Sequence, residues 1–103
     1  MRKAEVFVNG VRAGVLEERK KGRSCLFVYD PGYSGMPVSL TIPVETGVYK
    51  FDGFPPFFDG LLPEGKQLEA LLRLRKLDRD DLFGQLVAIG ADMVGAVTVK
   101  EIE

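Results

Sequence analysis

The chain has 103 residues, 46% of them hydrophobic and 28% charged, and fourteen basic against fifteen acidic side chains leave a net charge of −1. A chain of this size can bury a core without staples, and so even a charge balance argues against autonomous nucleic-acid binding, which draws on clustered Lys and Arg. There is no histidine and one cysteine, which excludes Ser-His and Cys-His dyads, the commonest metal ligand and any internal disulfide.

Ala4–Val8 is rich in strand formers and stops at Asn9-Gly10, a strong hairpin signal because both residues tolerate positive φ. Val11–Glu17 is the expected return strand, with Val11, Ala13 and Val15 alternating on one face, and Lys20-Lys21-Gly22-Arg23 is a charged turn. Cys25–Tyr29 is apolar throughout, the pattern of a strand covered on both faces. After a turn at Asp30-Pro31-Gly32 and a loop over Tyr33–Pro37, Val38–Ile42 alternates as a short strand ended by Pro43, and Val48–Phe51 reads as a further extended piece.

The period then changes. Pro63 suits the first position of a helix, and Leu68, Leu71 and Leu72 recur at helical spacing, with Lys66, Arg73, Arg75 and Lys76 toward water. Asp78 or Asp80 is placed to cap a second helix, which Gly90 ends and whose apolar face is Leu82, Phe83, Leu86 and Val87. Val94–Ile102 closes the chain as a strand. The order β-β-β-β-α-α-β predicts one α+β domain over residues 1–103: a small curved antiparallel sheet, a partial barrel, with two to three helices packed on one side. The start, MRKAEVFV, reads as a strand and not a targeting segment, and no apolar run approaches about 18 residues. A cytoplasmic location without membrane association is expected.

The inventory of chemistry is short. Cys25 lies in an apolar strand, where a thiol stays protonated and inert. Asp78-Arg79-Asp80-Asp81 fails as a calcium loop, because counting from Asp78 the fifth position is Leu82 and the twelfth Ile89. Asp59 and Glu64 flank helix starts and read as caps. No glycine-rich phosphate loop occurs. The cations Lys66, Arg73, Arg75, Lys76 and Arg79 read either as the wet face of a helix or as a patch for phosphate or an acidic partner. Arg19-Lys20-Lys21-Gly22-Arg23 carries four cations at one hairpin tip, for solubility or binding. No enzyme, metal site or cofactor emerges.

FPPFFDGLLPEG (residues 54–65) is the unusual stretch: it holds three prolines, yet five of its other nine residues are Phe or Leu. Either Phe57, Phe58, Leu61 and Leu62 tuck a short helical turn under the sheet, or some of them form an apolar surface for a partner.

FFDGLLPEG (57–65), preceded by PVSLTIP (37–43) and followed by Ile89-Gly90 and VGAVT (94–98), resembles the N-terminal subdomain of the bacterial HipA family of serine/threonine kinases. The hairpin VFVNGVRAGVL (6–16) fits the same pattern. The likeness spans nearly the whole chain, and its most specific part is FFDGLLPEG. In that family the subdomain precedes a kinase core carrying the catalytic motifs, none of which is present here. The resemblance therefore implies a stand-alone, HipS-like, non-catalytic antitoxin of a tripartite HipBST-type toxin–antitoxin module, one that binds and inhibits a HipA-like kinase toxin. It implies a HipB-like helix-turn-helix protein in the same complex, with DNA met only indirectly. The alternative it leaves is an assembly adaptor that joins kinase and operator-binding protein without inhibiting. The kinase-facing residues implied are Phe57, Phe58, Asp59, Leu61, Leu62, Pro63, Glu64, Gly65 and Lys66. Stand-alone relatives often carry a large aromatic directly after LLPEG, where this chain has Lys66. Inhibition would then run through Lys66 reaching phosphate or carboxylate groups, or through the docking surface alone.

Overall fold

The computed structural model describes residues 2–20, 23–92 and 95–102. Strands β1 (Arg2–Val8), β2 (Val11–Lys20), β3 (Ser24–Tyr29) and β4 (Val48–Asp52) are followed by helices α1 (Pro56–Asp59), α2 (Gly65–Arg75) and α3 (Leu82–Ile89), a 3-10 turn (Gly90–Asp92) and strand β5 (Val97–Ile102). All strands pair antiparallel in the order β4-β3-β2-β1-β5, so the last strand closes against the first. The sheet is open, not closed into a barrel, and with the helices forms the expected α+β fold.

The Asn9-Gly10 hairpin forms as expected, both residues at positive φ. The return strand does not keep one alternation. The register passes from Val6↔Gly14 to Phe7↔Arg12, a bulge at Ala13, and a bulge moves later side chains to the other face. Ala13 and Leu16 are therefore buried, Val15 is half-buried and Val11 is exposed. Past the bulge the rows run straight across the sheet. Tyr29, Gly14, Val6 and Val99 align, as do Tyr49, Phe27, Leu16 and Ala4. Their apolar members join one core cluster with Phe58 of α1 and Phe83 and Leu86 of α3.

The strand expected at Val38–Ile42 is instead a tight turn. The Ile42 N–H donates to the Ser39 carbonyl at 3.0 Å, the Thr41 N–H donates to Ser39 Oγ at 3.2 Å, and the two hydroxyls meet at 3.0 Å. Tyrosines hold the surrounding loop. The Tyr29 hydroxyl accepts from the Val38 N–H at 2.9 Å and donates to the Ile42 carbonyl. Tyr33 donates to the Met36 carbonyl at 2.6 Å, and Tyr49 donates to the Pro43 carbonyl. Val38 and Ile42 point into the core while Leu40, between them, is 94% exposed. Burial pushes the Tyr29 hydroxyl above the usual phenol range, so it stays a donor at neutral pH.

Helix boundaries shift for capping reasons. Helix α2 begins at Gly65, with Pro63 two residues ahead of it. Helix α3 is capped by Asp81, whose carboxylate accepts from the Gly84 N–H at 3.1 Å, and not by Asp78 or Asp80. Those two lie in the connection that Gln85 ties down, donating to the Asp78 and Arg79 carbonyls at 3.3 and 2.9 Å. Gly90 keeps right-handed geometry and leads into the 3-10 turn. It is there for clearance: a Cβ would lie 1.9 Å from the Val99 carbonyl oxygen, so its lack of a side chain lets α3 settle on β5. Of the expected strand Val94–Ile102, Val97–Ile102 is observed and Val94 falls outside the described residues, as do Lys21 and Gly22 of the charged turn.

Candidate partner-binding site

Segment 54–66 is built from the core outward. Pro55 and Pro56 set the entry to α1, and its backbone closes through the Asp59 and Gly60 N–H groups to the Pro55 and Pro56 carbonyls at 3.0 Å. That turn drives Phe58 inward to full burial, edge-on to Phe57 at 5.2 Å and tilted against Phe27 of β3 at 6.2 Å. Leu61 and Leu62, half-buried, pack beside them. The four apolar side chains thus belong largely to the core, which answers the composition: the prolines break the chain so that a single short turn can plug the sheet.

What remains outward is polar. Asp59 and Gly60 lie at one end of the segment and Glu64, Gly65 and Lys66 at the other, all exposed, with Pro63 half-buried between them. The capping roles expected of Asp59 and Glu64 are not filled by their side chains. Asp59 is the last residue of α1, and Glu64 takes the N-cap position of α2 without a side-chain hydrogen bond. Gly65 has φ +58°, a left-handed conformation that glycine adopts without steric cost. Lys66, which follows it, is exposed.

Arg2 and the two carboxylates it joins do structural work. Arg2 donates to Glu18 through Nε and a terminal nitrogen at 2.9 and 2.7 Å, and to Asp81 at 2.7 and 3.3 Å. Its guanidinium lies 5.0 Å over the Phe83 ring. One side chain thus ties β1 and β2 to the cap of α3. The hydrogen bond to Asp81 is the main reason Arg2 is held charged more firmly than a free arginine. Cys25, beside Glu18 in the register, is buried, and its thiol is pushed up to about 11, chiefly by burial. Alkylation by iodoacetamide at pH 8 should accordingly run about 100-fold slower in the native protein than in urea, where the thiolate is more populated; equal rates would contradict the packing of β3. Among the described residues no three His, Cys, Asp or Glu side chains are placed to hold a metal ion.

Sequence patterning missed the most exposed apolar side chains, which include Leu40, Leu74, Met36 and Val11. Val38, Leu40 and Ile42 share one face only if the backbone is extended, and the turn formers Ser39 and Thr41 between two prolines were the signal that it is not.

The HipA N-terminal domain family model matches residues 4–100. The chain belongs to the HipA N-terminal domain family. The solved N-terminal domain of HipA toxin is similar over 100% of this chain and 94% of that one, with a TM-score of 0.80 and 34% identity. An uncharacterized protein of Haemophilus influenzae is 35% identical over 101 residues, which are 98% of this chain and 93% of that protein. The family places the chain in a toxin–antitoxin context, and the matched part of HipA is its N-terminal domain.

Proposed function

We propose that this HipA N-terminal domain protein is a non-catalytic, HipS-like antitoxin that docks on a HipA-like serine/threonine kinase toxin and inhibits it. Its working surface is the polar rim Asp59–Lys66, held in place by the buried Phe58 and the half-buried Phe57, Leu61 and Leu62. The observation that carries this reading is the end-to-end likeness to the N-terminal domain of HipA toxin. A domain of that shape can occupy, from outside, the position its counterpart holds by covalent attachment. The histidine-free sequence agrees with a binding role. Cytoplasmic action, absence of a cofactor and a HipB-like operator-binding partner belong to the same proposal.

Lys66 is the residue through which this domain reaches the kinase: it is exposed in the first turn of α2, and its ammonium can pair with phosphate or carboxylate groups. Co-expression tests this. The wild-type domain should relieve growth arrest by the kinase, and Lys66→Glu, on an exposed position where substitutions change stability by only about 0.5 kcal/mol, should lose most of that relief. Full relief by the variant would remove the rim from the mechanism. Tighter operator binding with unchanged kinase turnover would favour the adaptor role.

A further inference from the structure

The open sheet ends in two edges, β4 and β5. At β5 the 3-10 turn lies over the strand, with Gly90 against the Val99 carbonyl. At β4 the ladder with β3 is marked at both ends. The Tyr29 N–H donates to the Gly47 carbonyl at 2.8 Å, and the Gly53 N–H donates to the Arg23 carbonyl at 2.6 Å. Hydrogen-bonded pairs recur at every second residue of an antiparallel ladder. Tyr49 and Phe51 therefore bond to β3, while the backbone groups of Val48, Lys50 and Asp52 point away from the sheet. Among the described residues, no hydrogen bond reaches those outward groups. Such a row is a template for another strand.

The side chains decide which strand fits. Val48, Lys50 and Asp52 are exposed on one face, and Tyr49 and Phe51 are half-buried against the core on the other. A lysine on an edge repels a second chain unless an acid meets it, and here Asp52 follows two residues on. Among the described residues neither charge has an ion partner, and the β3 residues opposite them, Leu26 and Ser24, are uncharged. The strand can meet its own copy antiparallel about a two-fold axis, and charge then selects the register. Centred on Lys50 or on Asp52, the pairing sets like charges opposite each other. Centred on Tyr49, it sets Lys50 against Val48 and leaves Asp52 unmatched. Centred on Phe51, it sets each Lys50 opposite Asp52 of the second copy at hydrogen-bonded positions. The two Phe51 side chains then meet on the core face at the closer, non-hydrogen-bonded spacing. The edge is complementary to itself in that register.

We propose that β4 is a self-association edge: two copies of this chain pair their β4 strands antiparallel about Phe51, joining the sheets into one with a Lys50–Asp52 ion pair on each side of the axis. The proposal stands on the geometry of the edge and does not depend on kinase docking.

The test is sedimentation equilibrium of the full chain at low salt, with amide hydrogen exchange followed as protein concentration rises. The wild type should form a dimer, and the amides of Val48, Lys50 and Asp52 should exchange more slowly as it forms. Lys50→Glu alone and Asp52→Lys alone should each raise the dimer Kd about tenfold or more, because each sets like charges across the junction. An equimolar mixture of the two variants should associate as a heterodimer at about the wild-type Kd, since every charge again faces its opposite. That recovery also shows that neither variant had lost its fold. A wild type that stays monomeric at every concentration would overturn the proposal. So would a dimer that neither variant weakens, or a mixture that associates no better than its separate components.

Discussion

Phe58→Ala will lower the free energy of unfolding by about 3–5 kcal/mol, the cost of emptying a fully buried aromatic site that cannot collapse. Phe58 is 0% exposed and packs between Phe57 and Phe27, so α1 has no other side chain to fill its place. In a domain of this size such a loss displaces Tm by roughly 12 °C or more. Asp59→Ala, one residue on but exposed, should stay within about 0.5 kcal/mol of wild type. The contrast between neighbours tests the division of FPPFFDGLLPEG into a core plug and a polar rim. Equal losses at the two positions would contradict it.

Arg2→Ala will cost about 2–3 kcal/mol, somewhat under the range for a fully buried pair because Arg2 keeps some contact with water. The change leaves Glu18, 5% exposed, without its guanidinium, and loosens the tie to the α3 cap at Asp81. Arg2→Lys should recover only part of the loss, since a single ammonium cannot fork between two carboxylates. A loss within about 0.5 kcal/mol of wild type in urea titrations would contradict this role of Arg2.

The architecture was legible in the sequence where local chemistry and tertiary demand agree. Asn9-Gly10 makes its hairpin, the apolar run Cys25–Tyr29 makes a central strand, and leucine and phenylalanine spacing marks α2 and α3. The failures share a cause, a side chain or backbone group supplied from another element. Val38–Ile42 alternates like a strand, yet the Tyr29 hydroxyl gathers both ends of it into a turn. Asp78 and Asp80 have the right chemistry for a cap, but Arg2 holds Asp81 in that role from the first strand. The bulge at Ala13 reverses which side chains of β2 face inward, and only the register with β1 reveals it. In the candidate site, composition pointed to an apolar partner surface or a core plug. The structure puts Phe58 at 0% exposure, and leaves Lys66 and the acidic residues outside.

The central claim is that this HipA N-terminal domain restrains a kinase by docking on it. Its most direct test is the rate of phosphoryl transfer by the HipA-like kinase of the same genome, measured with rising amounts of this protein up to stoichiometric excess. The account predicts that turnover falls to background at one equivalent and returns when a folded Lys66→Glu variant replaces the wild type. Undiminished turnover in a complex shown to have formed would contradict it.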